Sequence, residues 1–137
     1  MDLGPLLDRI EAILVANSIP YEREENRLFV VPISEDGFTV LIFSEGETVS
    51  VYCNGWHDDF EDGEEAARFF LFALTNGVRL QVQSRNGEAY KWTLEVLQDE
   101  KWSQVSKTGL LIIPFWQRKT EATLQNRVLS TEAAMVL

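Results

Sequence analysis

The stretch FTVLIFSEGETVSVYC, residues 38–53, decides the fold because it holds two extended segments separated by a short turn with a glycine. β-Branched and aromatic residues fill both segments, which is typical of strands. An even loop with Glu45 and Gly46 at its tip predicts an antiparallel hairpin. In this register three pairs of side chains share one face: Ile42 with Val49, Val40 with Val51, and Phe38 with Cys53.

The opposite face of the same hairpin is also apolar, because it carries Leu41 and Phe43. The preceding segment LFVVPI, residues 28–33, is apolar on both sides as well. A sheet with two apolar faces needs a cover on each. The N-terminal helix can supply one cover. The sequence leaves three choices for the other, namely the C-terminal segment, the second helix or another subunit.

Two helices are predicted around this sheet. The first spans residues 3–18, with Pro5 in its first turn, where proline is tolerated. The second spans residues 63–76, between Asp62 as N-cap and the stop signal at Gly77. The first helix has an apolar stripe at helical spacing, formed by Leu3, Leu6, Leu7, Ile10, Ile13 and Leu14.

A second meander follows, because VRLQVQS and AYKWTLEV both alternate between apolar and polar residues. A two-residue turn at Asn86-Gly87 would break the phase of this alternation. We therefore predict a three-residue loop, Arg85 to Gly87, with Gly87 in the left-handed conformation. That loop pairs Val82 with Tyr90, Leu80 with Trp92, and Val78 with Leu94. KWSQVS and LLIIPF are predicted as two further strands, and the last 21 residues as partly helical.

The predicted fold class is α+β. Its order is an N-terminal helix, an antiparallel meander, a second helix, a second antiparallel meander, and a short C-terminal helix or tail. A chain of 137 residues fits one domain, residues 1–137. The repeated helix-then-meander order suggests a pseudo-repeat of residues 1–60 and 61–116 followed by a tail, residues 117–137.

The net charge of −10 is concentrated in the N-terminal half. Residues 1–76 hold 16 acids and 4 bases, whereas residues 77–137 hold 6 acids and 8 bases. Such a surface repels phosphates, so no nucleic-acid partner is expected. The apolar runs are shorter than the roughly 20 residues of a membrane span, and the acidic N-terminus does not read as a signal peptide. We therefore expect a cytoplasmic protein without a membrane partner.

The stretch NGWHDDFEDGEE, residues 54–65, contains the only histidine, His57, among several acids. Neighbouring side chains cannot all converge on one ion, and neither a calcium-loop spacing nor a second histidine is present. A Cys53–His57 pair could in principle form a reactive thiolate. The strand phase puts Cys53 in the core, however, where cysteine behaves as a small apolar residue. We predict no catalytic residue, no metal and no cofactor.

Residues 56–60 are instead predicted to be a loop that joins the two halves and binds a protein. Aromatic residues beside charges are typical of interaction patches. The predicted binding residues are Trp56, His57, Asp58, Asp59, Phe60 and Trp116. For each tryptophan the competing interpretation is that it caps the core. A second candidate surface is the polar face of the second meander, which an ordinary solvated sheet face would explain equally well: Arg79, Gln81, Gln83, Lys91 and Thr93.

The order helix, meander, helix, meander and tail helix, in 137 acidic residues, resembles the type III secretion chaperone-like fold. That resemblance implies a small acidic cytoplasmic homodimer that binds an extended stretch of a client protein. The leading prediction is therefore a non-enzymatic protein-binding module, a dimeric chaperone-like or regulatory protein. The first alternative is an immunity or inhibitor protein whose acidic surface blocks a basic toxin. The second alternative is a hydrolytic enzyme of unknown class.

Overall fold

The protein has an α+β fold in a computed structural model that describes residues 3–109 and 119–135. This confirms the predicted class and the predicted order of helices and sheets. The described residues form three helices and nine strands, in the order α1 Gly4–Ala16, β1 Glu22–Glu24, β2 Arg27–Val30, β3 Val40–Glu45, β4 Thr48–Cys53, β5 Trp56–Phe60, α2 Gly63–Phe72, β6 Val78–Arg85, β7 Glu88–Gln98, β8 Lys101–Gly109, β9 Lys119–Leu124 and α3 Thr131–Ala134.

The strands form two antiparallel sheets. Sheet A is a simple meander in which β1 to β5 lie side by side in chain order. Sheet B has the order β8-β7-β6-β9, so its last strand crosses to the far side of β6. Sheet A therefore ends in two edge strands, the three-residue β1 and the five-residue β5.

Helix α1 buries the predicted stripe, since Leu7, Ile10 and Leu14 are all fully buried. Helix α2 begins as predicted, because the side chain of Asp62 accepts a hydrogen bond of 3.0 Å from the backbone N–H of Glu64. The helix ends at Phe72, four residues earlier than predicted.

A threonine side chain explains the early end of α2. Its hydroxyl, Thr75 Oγ1, donates to the carbonyl of Phe72 at 2.7 Å and accepts from the backbone N–H of Gly77 at 3.1 Å. Threonine side chains that bond to the nearby backbone in this way compete with the helical hydrogen bonds.

The hairpin of β3 and β4 has the predicted faces but not the predicted register. Val40 pairs with Cys53 and Ile42 with Val51, a shift of two residues from the prediction. The turn consists of Gly46 and Glu47, with Gly46 at φ 64°, and glycine in the first central position is typical of type II′ turns. All six side chains predicted to share one face are buried: Phe38, Val40, Ile42, Val49, Val51 and Cys53.

The predicted three-residue loop between β6 and β7 is wrong. The strands are joined by the two-residue turn Asn86-Gly87, with φ values of 51° and 83°, as a type I′ turn requires. A β-bulge restores the phase, because Gln83 pairs with Lys91 while the next residue, Ser84, pairs with Ala89. The left-handed conformation of Gly87 is confirmed, and Val82 pairs with Trp92 rather than with Tyr90.

The C-terminal tail is part of sheet B. Residues Lys119–Leu124, which lie within the predicted tail over residues 117–137, form β9 and pair with β6. The short C-terminal helix is confirmed as α3, which begins where Ser130 Oγ accepts from the backbone N–H of Ala133 at 3.1 Å. The predicted strand LLIIPF, residues 110–115, lies outside the described residues.

Among the described residues, one hydrophobic core joins α1, α2, one face of each sheet and the C-terminal segment. One buried amide links three parts of this core. Asn126 Oδ1 accepts from the N–H of Phe38 at 3.0 Å, and Asn126 Nδ2 donates to the carbonyls of Phe38 at 3.0 Å and of Ala73 at 3.2 Å. Asn126 thereby ties the segment after β9 to the residues just before β3 and just after α2.

Candidate protein-binding surface

The predicted binding loop, residues 56–60, is strand β5 at the edge of sheet A. The loop prediction is therefore wrong. A two-residue turn, Asn54-Gly55, joins β4 to β5, and Asn54 has a φ of 57°. An Asn-Gly pair between extended segments is the strongest local hairpin signal in a sequence. That signal was present, but the run of acids after it obscured the strand.

The side chain of Trp56 points into the core and is fully buried. Its ring lies 5.4 Å from the ring of Phe69 on α2, and Phe60 on the same side of β5 lies 5.8 Å from Phe69. Both aromatic residues of β5 thus attach the edge strand to α2. Trp56 is therefore not available to a partner in this fold. Trp116, the other tryptophan of the predicted patch, lies outside the described residues.

The remaining three residues of the predicted patch are exposed. His57 lies on the outer face of sheet A and stacks on Tyr52, with ring centroids 4.8 Å apart and an interplanar angle of 15°. Asp59 lies on the same outer face and accepts a hydrogen bond of 2.6 Å from Ser50. Asp58 lies on the same side of β5 as Trp56, and a charge in that position on an edge strand opposes unwanted strand pairing.

No nucleophilic pair is formed by Cys53 and His57. Cys53 pairs with Trp56 in the core-facing row, whereas His57 pairs with Tyr52 in the outer row. Burial raises the pKa of the Cys53 thiol far above its ordinary value, so the thiolate required for nucleophilic attack is not formed. Within residues 3–109 and 119–135, no three His, Cys, Asp or Glu side chains are arranged to hold a metal ion.

The outer face of sheet A carries His57 and Asp59 on β5 and extends across all five strands. We call it the open face. The strand register sets its side chains in two rows, the first formed by Glu22, Phe29, Leu41, Tyr52 and His57 and the second by Glu24, Arg27, Phe43, Ser50 and Asp59. Sequence reasoning had noted Leu41 and Phe43 as a second apolar face, but not these rows.

The middle of the open face is apolar. Phe29, Leu41, Phe43 and Tyr52 are each half-buried, and the rings of Phe43 and Tyr52 lie 5.4 Å apart. We call these four residues the apolar stripe. In the described chain none of them belongs to the core cluster or packs against it. Helix α2 contacts β3, β4 and β5, whose buried apolar side chains lie on the other face, so the stripe lies on the side of the sheet away from the helix.

The two edges of the open face are acidic. Glu22 and Glu24 lie on the edge strand β1 and Asp59 lies on the edge strand β5, and a further carboxylate of the same face, Glu45, lies at the end of the central strand β3. Arg27 is the one basic side chain of this face, and it donates to Glu24 at 2.7 Å. That hydrogen bond and the positive charge of Arg27 lower the pKa of Glu24. With His57 neutral, four carboxylates and one guanidinium give the open face a net charge of −3.

The polar face of sheet B, the second candidate surface, is internally bonded. Arg79 Nε donates to Glu95 at 2.8 Å, Gln81 donates to Glu95 at 3.2 Å, and Thr123 donates to Gln81 at 2.7 Å. The guanidinium of Arg79 also lies 4.1 Å above the ring of Trp102. These groups satisfy one another across four strands, as in an ordinary solvated sheet face.

Comparison with known proteins gives no relative: no family model, no curated protein and no solved structure matches the chain. We therefore infer the function from the surface itself. Among the described helices, none combines the length and the apolar character required to cross a membrane. The longest, α1, has 13 residues.

Proposed function

We propose that the protein is a non-enzymatic protein-binding module and that it binds through the open face of sheet A. One observation carries this proposal: within the described residues, helices pack on one face of the sheet and an apolar stripe lies outside the core on the other. Antiparallel sheets commonly expose one face, but the exposed face is then normally polar. Here the centre of the exposed face consists of Phe29, Leu41, Phe43 and Tyr52.

The size of the open face suits a recognition surface. Five strands spaced by about 4.8 Å, with about five residues of about 3.3 Å each, give a face of roughly 400 Å². The apolar stripe occupies the middle of that face, and contiguous apolar patches rimmed by polar residues often mark interaction sites. A rim of charged residues around an apolar centre is the usual anatomy of an interface.

Three alternatives from the sequence differ in how well they fit this surface. A homodimer, as expected from the sequence, would use the same face and remains a prediction. A hydrolytic enzyme has less support, because the distinctive pair Cys53 and His57 lies on opposite faces of the sheet. An inhibitor of a basic toxin is compatible with the acidic edges of the open face and differs from a chaperone-like module only in its partner.

Affinity capture from the native cell tests the proposal with three tagged proteins, the wild type, Leu41→Lys and Gln104→Lys. Both substitutions add a positive charge to a β-strand, one within the apolar stripe and one at an exposed position on β8. We expect at least one retained protein to be lost with Leu41→Lys and kept with Gln104→Lys, as quantified by mass spectrometry. Equal retention by all three proteins would contradict a binding role for the open face.

A further inference from the structure

From the charges around the apolar stripe, we infer that the open face of sheet A receives a cationic amphipathic helix. The inference rests on the proposed function and names the chemistry of the partner. The open face has carboxylates on both edge strands and the apolar stripe between them. Glu22 and Asp59 make no ion pair with any other residue in the part of the chain that the structure describes. Their charges are therefore available to a partner.

A helix suits this face better than an extended segment does. A single strand laid on the face of a sheet leaves its backbone N–H and C=O groups without partners, and burying such groups is costly. A helix satisfies these groups internally and presents an apolar stripe about 100° wide. Sheet A already accepts a helix on its other face, where α2 packs against β3, β4 and β5.

The spacing of the carboxylates fits a helix with basic flanks. The edge strands β1 and β5 are four strand spacings apart, which is about 19 Å. A helix with its side chains is about 10–12 Å across. A helix lying along the central strand β3 thus leaves roughly 4 Å on each side, a gap that flexible Lys and Arg side chains can span. Glu22 and Asp59 would meet the two flanks.

A second copy of the chain fits this face less well. When the strands of two copies are aligned face to face, either two-fold arrangement sets one carboxylate-bearing edge over another. Each open face has a net charge of −3, and each chain a net charge of −10, so the edges repel. A cationic helix brings the opposite charge to both edges and is the occupant that complements the surface.

The test uses a designed peptide of about 18 residues with leucines on one face and lysines on both flanks, and a second peptide with glutamates in place of the lysines. Fluorescence anisotropy measures the Kd of each for the full chain. We expect the lysine-flanked peptide to bind at least about tenfold more tightly than the glutamate-flanked one, and Leu41→Lys to abolish detectable binding.

Neutralising the edges isolates the charge contribution. Glu22→Gln with Asp59→Asn keeps the shape of both side chains and the acceptor for Ser50, whereas Glu88→Gln with Glu100→Gln removes two exposed charges elsewhere. We expect the first pair to weaken binding of the lysine-flanked peptide about threefold to tenfold and to reduce its salt dependence. The second pair should change the Kd by less than about twofold.

Each contrary outcome has a defined meaning. If both peptides bind equally and Leu41→Lys abolishes both, the cationic preference is overturned while the proposed binding face stands. If Leu41→Lys leaves binding unchanged, or the lysine-flanked peptide does not bind, the inference is overturned. If sedimentation at tens of micromolar finds a dimer that Leu41→Lys dissociates, a second copy is the occupant and the inference is again overturned, but the binding face is kept.

Discussion

Trp56 and His57 are neighbours on β5 and should differ greatly in their contribution to stability. Trp56 is fully buried and packs on Phe69, whereas His57 is exposed and stacks on Tyr52. A buried tryptophan removes about 200 Å² from water, which at about 25 cal/mol per Å² is worth up to about 5 kcal/mol. We expect Trp56→Ala to lower the free energy of unfolding by about 3–5 kcal/mol.

For His57→Ala we expect a loss of about 0.5–1 kcal/mol, the usual value of one cross-strand pair. Urea unfolding measures the free energy of unfolding of both variants. Far-ultraviolet circular dichroism is the signal used, because removing a tryptophan would change a fluorescence signal. Domains of this kind are stable by about 5–15 kcal/mol, so a folded baseline is expected for either variant. Similar losses for the two variants, or a loss below about 1 kcal/mol for Trp56→Ala, would refute the inward orientation of Trp56.

Three further outcomes test how the fold is held together. Gly55→Ala should lower the free energy of unfolding in urea by about 1–3 kcal/mol, because a Cβ there would lie 2.1 Å from Cε2 of Trp92. The ring of Trp92 joins sheet B to the β4–β5 turn, and an unchanged unfolding midpoint would contradict this contact. Asn126→Ala should lower the free energy of unfolding by about 2–4 kcal/mol, since the buried backbone N–H and C=O of Phe38 lose their hydrogen-bond partners. A loss below about 0.5 kcal/mol would show that the amide is dispensable. Cys53 should not react with a thiol-specific disulfide reagent at pH 8 until urea unfolds the chain, because burial raises the pKa of its thiol; rapid reaction of the native protein would show that the thiol is accessible.

The hydrophobic pattern predicts faces well and register poorly. The faces of the β3–β4 hairpin were predicted correctly because side chains alternate strictly between the two sides of a strand. A shift of two residues preserves that alternation, so the pattern cannot distinguish Ile42 paired with Val49 from Ile42 paired with Val51. The turn decides the register, and here its two residues are Gly46 and Glu47 rather than the predicted Glu45 and Gly46.

Strand β5 was missed for a different physical reason. Its core-facing positions read Trp56, Asp58 and Phe60, so a charge interrupts the apolar alternation. On an edge strand such a residue stays exposed, and the alternation rule for central strands does not apply. The β-bulge at Gln83 and Ser84 was also missed. The break in the apolar alternation was recognised, but it was attributed to the loop between β6 and β7.

The candidate surface was predictable in part. The two apolar faces of sheet A indicated that a second cover is needed, and Leu41 and Phe43 lie in the apolar stripe. The acidic edges depend on which strands lie outermost, which the sequence pattern did not determine. His57 and Asp59 belong to the surface, whereas Trp56 belongs to the core.

Photo-crosslinking in the native cell tests the central claim most directly. Benzoylphenylalanine replaces Tyr52 in the apolar stripe and, as a matched control, Gln104 on the exposed face of β8. We predict a discrete crosslinked species from position 52 that position 104 does not give and that Leu41→Lys removes. Crosslinks of equal yield from both positions, or no species specific to position 52, would contradict the assignment of the open face of sheet A as the binding surface.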